Sequence, residues 1–197
     1  MALRKHRHMS LTEFLAWEER QDTRHEFVHG EIVAMVGGTV AHNQIAGNLY
    51  AALRAELRGS PCRVFQETMR ILADESVFYP DVFVTCTPLD DRDRLATRPT
   101  VIVEVLSDST SSYDHTTKSA AYRTLPSLDQ YVLVHQRVAV VESFHRSGDG
   151  WTHRLVSGRE GVLTIPALEI ALPLATIYED TQVSFDPVTL ASDTDDA

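Results

Sequence analysis

The chain has 197 residues, 43% of them hydrophobic and 23% charged, which is enough for one domain with a substantial buried core. Its net charge of −10 excludes a broadly basic surface that grips nucleic acid by electrostatics alone, so any hold on phosphate must come from local positive charge or recruited divalent cations. No apolar run approaches the ~18–20 residues of a membrane helix, no apolar segment follows the basic Arg4-Lys5-His6-Arg7-His8 as a secretory signal would need, and the two cysteines, Cys62 and Cys86, make no Cys-x-x-Cys pair or disulfide framework, which points to a reducing, cytoplasmic setting.

Residues 1–9 read as a basic tail. Ser10-Leu11-Thr12-Glu13 fits a capping box and predicts a helix from about Ser10 to Arg20, with Leu11, Phe14 and Leu15 on its apolar side. Arg24 to Val28 and Glu31 to Met35 flank His29-Gly30, the pattern of a β-hairpin. Ile45, Leu49, Leu53 and Leu57 recur at steps of four and predict a second helix over Ala41 to Arg58, stopped by Gly59-Ser60-Pro61. Arg63 to Ala73 holds two short strand runs, and Tyr79 to Thr85 reads as a strand opening with Pro80. Asp90 to Arg98 is polar and reads as an exposed loop. Thr100 to Leu106 is the most β-prone segment, a continuous apolar run suited to a central strand covered on both faces. A helix from about Asp114 to Thr124 follows. Strands are expected at Gln130 to Val134, Val138 to Phe144, Trp151 to Val156 and Val162 to Ile165, then a short helix over Leu172 to Tyr178 and an acidic tail over 181–197. The whole reads as one domain over 10–180, a mixed α/β or α+β sheet with helices on both faces.

Glu104 stands in the middle of the apolar strand. A carboxylate there is costly unless it is paired, protonated or bound to a metal. Asp81 opens another strand. If the two strands are neighbours, the two acids converge on one point and suit Mg²⁺, which takes one or two carboxylates and keeps several waters. Asp114, Lys118 and Tyr122 are spaced four apart and share one helix face, from which Lys118 can reach that point and stabilise charge on a phosphate. The alternatives are an ion pair of Glu104 with Arg70 or Arg123, and a surface pair of Asp114 with Lys118.

The combination resembles the PD-(D/E)xK nuclease superfamily and, within it, the Uma-type endonucleases of bacteria. The stretches that carry the resemblance are His25-Glu26-Phe27-Val28-His29-Gly30-Glu31, His42 at a helix start, Tyr79-Pro80-Asp81-Val82, Val103-Glu104-Val105-Leu106-Ser107, Asp114 through Lys118 to Tyr122, and Gln130 to Val134. The resemblance implies a restriction-endonuclease-like central mixed β-sheet flanked by helices, with additional antiparallel strands. It implies Mg²⁺-dependent hydrolysis of phosphodiester bonds, in DNA first, with Mn²⁺ as a substitute. Asp81, Glu104 and the Val105 carbonyl would be metal ligands. The superfamily's lysine stands two residues after the acid, where this chain has Leu106, so Lys118 takes its place. Glu26, with Glu31 as the alternative, would be an extra acid near the site. His42 would approach the scissile phosphate or shuttle a proton, or else cap its helix. Tyr122 would hold Lys118 or pack in the core. A symmetric homodimer is expected, since cutting both strands of a duplex needs two sites. Two rival functions stand beside this one. The first is a catalytically inactive nuclease-fold module that binds nucleic acid or protein. The second is a serine hydrolase using Ser107, Ser109, Ser111 or Ser112, against which speaks the absence of a Gly-x-Ser-x-Gly elbow.

Overall fold

The computed structural model describes residues 9–35, 37–107 and 110–185, together with the backbone of Arg4–Lys5. His6, His8, Ser109 and the acidic stretch from residue 186 onward lie outside the described residues. β1 (Arg4–Lys5) precedes α1 (Leu11–Glu18). Ser10 caps α1 as its spacing requires. Its hydroxyl accepts from the Glu13 N–H, and the Glu13 carboxylate takes the Ser10 N–H at 2.8 Å. β2 (His25–Val28) and β3 (Glu31–Ala34) form the expected hairpin. His29 (φ 46°) and Gly30 (φ 93°) both adopt the left-handed backbone that a two-residue turn of this hand needs. β1 pairs with β3, so Arg4 and Lys5 are sheet residues within the stretch read as a tail.

α2 (Val40–Glu56) starts at Thr39, whose hydroxyl accepts from the His42 N–H at 3.1 Å. Then come β4 (Arg63–Gln66), β5 (Arg70–Ala73), β6 (Ser76–Phe78), β7 (Val82–Thr85), β8 (Leu95–Ala96) and β9 (Val101–Leu106). Two expectations change here. The strand expected over Tyr79 to Thr85 is broken at Tyr79-Pro80-Asp81: the Pro80 nitrogen has no hydrogen to donate, and the carbonyls of Pro80 and Asp81 both accept the Glu67 N–H. The expected loop Asp90 to Arg98 contains β8, which pairs parallel with β5 and buries Ala96.

The next helix runs continuously through α3 (Ser111–Tyr113), a π-helical turn (Asp114–Lys118) and α4 (Ser119–Arg123). β10 (Gln130–His135), β11 (Val140–Ser147), β12 (Gly150–Ser157), β13 (Val162–Ile165), β14 (Ile170–Pro173) and α5 (Leu174–Ile177) complete the chain. The helix expected from Leu172 therefore begins two residues later, after β14.

The central sheet has the order β12-β11-β10-β9-β7-β4. Only the β9–β10 pair in it is parallel. A second sheet, β1-β3-β2-β6-β5-β8, is antiparallel except at β8, and β13 and β14 form a ribbon. Helices cover both faces of the central sheet, as the continuous apolar run at β9 requires. Val101, Val103 and Val105 pack with Ile45, Leu49 and Leu53 of α2. Ile102 and Leu106 pack on the other side with Ala121 and Tyr122 of α4. By alternation Glu104 belongs to this second side.

The cysteines correct a further expectation. The ladder pairs Arg63 with Thr85, so the next positions outward, Cys62 and Cys86, stand opposite one another and are joined as a disulfide. The reducing setting inferred from the cysteine count loses its basis. Among the described residues no helix is long and apolar enough to cross a membrane.

Leu49 is fully buried between α2 and the sheet, whereas Val40 is 88% exposed. Leu49→Ala is expected to lower the free energy of unfolding by ~2–5 kcal/mol, and Val40→Ala to change it by less than ~0.5 kcal/mol. Urea denaturation of the two variants measures both; equal effects would place the core elsewhere.

Candidate active site

Asp81 and Glu104 come together because β7 and β9 are antiparallel neighbours. Val82 pairs with Val103, which sets Asp81 opposite Glu104 at the end of the ladder. The Val105 N–H donates to Asp81 Oδ2 at 2.6 Å, and His42 Nε2 lies 3.2 Å from the same oxygen. α2 therefore reaches the site with its first turn.

Lys118 joins from the π-helical turn. Its Nζ lies 3.1 Å from Glu104 Oε1, 3.2 Å from Glu26 Oε1 and 3.3 Å from Asp114 Oδ1. Tyr122, fully buried one turn later, donates its hydroxyl to Glu104 Oε1 at 2.9 Å. Glu26 comes from the second sheet, and its Oε1 also accepts the Tyr79 N–H at 3.3 Å. All of Glu26, Glu104, Asp114 and Lys118 are buried.

Burial raises the Glu104 carboxyl well above its ordinary range; the Lys118 ammonium opposes this, and Asp81, Asp114 and Glu26 add to it. Asp114 is raised by burial for the same reason, again against Lys118. Burial alone would lower Lys118, but its three carboxylates outweigh that and hold it well above its ordinary value, so it is an ammonium at neutral pH.

The donor set fits a hard divalent cation. Of four carboxylates, Glu26, Glu104 and Asp114 share one ammonium, and Asp81 faces His42. Asp114 Oδ1 is buried without a hydrogen bond, because its approach to Lys118 has the distance of an ion pair but not the direction of a bond. Asp81 and Glu104 each commit one oxygen to protein donors, and the other oxygen of each has no donor among the described residues. Mg²⁺ needs only one or two carboxylates, a carbonyl and waters. Among the described residues, no three His, Cys, Asp or Glu side chains form a ready-made metal cage.

The structure thus gathers Asp81, Glu104, Lys118, Glu26 and His42 in one place, with Val105 beside Asp81. Glu26, and not Glu31, is the hairpin acid at Lys118. Glu104 pairs with Lys118 and not with Arg70 or Arg123, and the Asp114–Lys118 pair is buried, not on the surface. Tyr122 both packs in the core and bonds to the site. Asp114 is the residue that spacing undervalued. Its signal was the four-residue step to Lys118 on a helix leaving a buried acidic strand.

Comparison with known proteins shows the family and the fold. Residues 11–176 match the model of the Uma2 family, described as "Putative restriction endonuclease". Two proteins of Synechocystis sp., both described as uncharacterized, are 37% and 35% identical over 145 and 146 residues. Each match spans 72% of this chain, and 76% and 82% of the respective relative. A crystal structure from Anabaena variabilis, described as a putative nuclease belonging to DUF820, superposes with a TM-score of 0.72 at 16% identity. It covers 86% of this chain and 97% of its own, and so shares the fold.

A second polar cluster holds the π-helical turn to the sheet. Glu142 of β11 lies in register with Leu133 and, through it, with Glu104. Three imidazoles converge on its carboxylate: His115 Nε2 at 2.9 Å, His135 Nε2 at 3.0 Å and His153 Nε2 at 3.2 Å. His115 is the neighbour of Asp114. Its Nδ1 lies 2.8 Å from the Ser111 carbonyl, which can only accept, so Nδ1 carries hydrogen. The Nε2 contact to a carboxylate then requires a second hydrogen, and the clamped form of His115 is the imidazolium. No spacing in the sequence marks this cluster, because it is assembled from four separate segments.

The clamp has a defined pH window. Burial lowers the His115 pKa, but its bonds to Glu142 and Ser111 outweigh this and raise it above 6.5. Its contribution to stability is therefore complete below 6.5 and fades as pH rises through the folded value. The bond from His135 is the largest influence lowering Glu142 from 4.5 to about 2, so that contribution is complete above 4.5 and fades as pH falls towards 2. The stability lost in Glu142→Gln is expected to be largest between pH 5 and 6 and smaller at pH 8.5. Urea midpoints of wild type and variant at the two pH values measure it, and an equal difference at both would mean that His115 is not clamped as a cation.

Proposed function

The chain belongs to the Uma2 family, and from that starting point we propose that it is an endonuclease that hydrolyses phosphodiester bonds, in DNA first, with Mg²⁺ or Mn²⁺ held by Asp81, Glu104 and the Val105 carbonyl. The observation that carries the proposal is the buried meeting of Lys118 with Glu104, 3.1 Å apart, beside Asp81 and two further acids. A bound Mg²⁺ would polarise a phosphoryl oxygen and lower the pKa of an attacking water.

The chain's own residues supply orientation and charge. Val105 N–H and His42 fix one oxygen of Asp81, and Tyr122 and Lys118 fix one oxygen of Glu104, so each presents its other oxygen without rearrangement. Lys118 stays charged and so cannot take a proton from water. Its part is to offset negative charge that grows on the phosphate oxygens as the bond breaks. Glu26 and Asp114 hold that ammonium in place. Burial lowers His42, but its bond and charge contact with Asp81 outweigh this and raise it above 6.5. It therefore orients Asp81 and can deliver a proton to the leaving oxygen. A symmetric homodimer, giving two sites for the two strands of a duplex, belongs to the same proposal.

Purified protein with Mg²⁺ or Mn²⁺ is expected to nick or cut supercoiled plasmid, and EDTA to stop it. Asp81→Asn, Glu104→Gln and Lys118→Met are each expected to lose ~10²–10³-fold in rate, with circular dichroism confirming that the variants fold. Wild-type protein that leaves plasmid, single-stranded DNA and RNA intact with both cations would sink the hydrolytic reading. In that event, Mg²⁺ binding by calorimetry that is the same in wild type and Asp81→Asn would leave a binding module without a metal site.

A further inference from the structure

A cleft of about 430 Å³ has Tyr79 in its lining but none of Glu26, Asp81, Glu104, Asp114 or Lys118, and its size is within the ~300–1,000 Å³ typical of ligand sites. Its walls carry Arg24, Arg70 and Arg94, with Tyr79 and Phe65 between them. Three guanidiniums in one cleft are notable in a chain of net charge −10.

Arg70 is 6% exposed. Its Nε donates to the Arg94 carbonyl at 3.2 Å, and it has no carboxylate partner among the described residues. A guanidinium buried without an acid is costly unless a ligand supplies the counter-charge. Arg24 likewise has no carboxylate partner among the described residues; its Nη1 donates to the Glu67 carbonyl at 3.1 Å, and it lies 5.9 Å over the Tyr79 ring. Acids also line the cleft, but they are placed differently. Glu18 is committed to the His25 N–H at 2.8 Å, to His25 Nδ1 at 3.1 Å and to the Tyr79 hydroxyl at 3.0 Å. Glu19 only approaches exposed Arg94, at 3.9 Å, and Asp93 lies at the rim. Arg70 and Arg24 therefore have no close acid, and exposed Arg94, held only loosely by Glu19, stands beside them.

The cleft and the acid cluster share a wall. Tyr79 stands in the cleft and gives its N–H to Glu26 of the cluster. The Glu67 N–H, one residue from Thr68 of the cleft, is bound by the Pro80 and Asp81 carbonyls. The cleft offers no free aromatic face for a base. Phe65 stacks on Phe83 with centroids 5.1 Å apart and is covered by Arg63 at 5.1 Å, and the Tyr79 ring is buried beneath Arg24.

We propose that this cleft is a phosphate subsite for the nucleic-acid strand that enters the acid cluster, reading phosphodiester charge and not base identity. Arginine suits the task because its planar fork matches two phosphate oxygens at once. The inference rests on the nuclease reading for the nature of the strand. It would give the acidic chain its local grip on the backbone.

The test is fluorescence anisotropy of a labelled single-stranded oligonucleotide of about 12 residues, a length within the usual span of single-strand sites, with Ca²⁺ in place of Mg²⁺ and the full chain. Arg24→Ala with Arg94→Ala changes two exposed side chains and spares the core. Arg58→Ala with Arg154→Ala, away from the cleft, removes the same charge. The cleft pair is expected to weaken binding about tenfold and to lower the slope of log K against log salt by roughly 1.4, 0.7 for each lost phosphate contact. The control pair is expected to change affinity less than about twofold. Arg70→Gln, with its fold checked by thermal unfolding, is expected to act in the same direction as the cleft pair. Equal losses in the cleft and control pairs, or none in either, overturn the subsite while leaving the plasmid assay untouched. Displacement of the strand by inorganic phosphate at equal phosphate concentration would mark a free-anion site and overturn the strand assignment. No binding by wild type would overturn both this inference and the reading beneath it.

Discussion

Lys118 Nζ stands within 3.3 Å of acids from three places: Glu104 on the central sheet, Glu26 on the second sheet and Asp114 on its own π-helical turn. The same ammonium therefore fastens the two sheets and the helix between them. Removing one partner of such a buried pair leaves a charge without compensation, which costs ~3–5 kcal/mol. The acids would then have to hold protons or repel one another, as the raised Glu104 and Asp114 carboxyls already indicate. Docking of the hairpin sheet onto the central sheet and assembly of the site are thus one event. The pairing of β2 with β6 that docks the hairpin also carries Glu26 to the lysine.

The sheet topology explains why the acids are where they are. β9 is apolar on both faces except at Glu104, and its antiparallel pairing with β7 leaves Asp81 just past the last ladder pair. The Val105 N–H turns to Asp81 Oδ2 there. Pro80 enforces the break, since it has no N–H to continue a ladder. The same break exposes backbone carbonyls to Glu67, and so ties the arginine-lined cleft to the acid cluster. Three guanidiniums and a buried group of acids thus meet across one three-residue segment, in a chain whose net charge is −10.

Local signals were legible in the sequence, and long-range ones only where chemistry made them conspicuous. The Ser10 capping box, the His29-Gly30 turn and the stripe of Ile45, Leu49 and Leu53 each act within a few residues, and each forms as expected. Glu104 could be found because an acid in an apolar strand demands a partner, and Lys118 because a helical step put it within reach. Asp114 looked like half of a surface pair, since spacing does not reveal that the helix lies over the site. The Cys62–Cys86 bond depends on which strand β4 chooses as its neighbour. β8 is two residues long and polar in its surroundings, so its pairing with β5 left no periodic trace. The convergence of His115, His135 and His153 on Glu142 joins four segments and has no sequence spacing at all.

The lysine's position follows from the packing of β9. Two residues after Glu104 the strand carries Leu106, which is buried among Ala121, Tyr122 and Leu133. A lysine there would replace Leu106 on the face that also carries Glu104, and would leave its packing with Ala121, Tyr122 and Leu133 unfilled. From the π-helical turn, by contrast, the side chain approaches Glu104 from above the sheet, along the face where Glu26 and Asp114 already lie. Single π-helical turns inside α-helices recur at functional sites. Here the turn spans Asp114 to Lys118 and sets both ends of that pair on the site side. Tyr122 then occupies the space beneath, fully buried and bonded to Glu104. Moving the ammonium from strand to helix thus frees the strand for the core, while the helix, clamped by His115, takes over the placing of the charge.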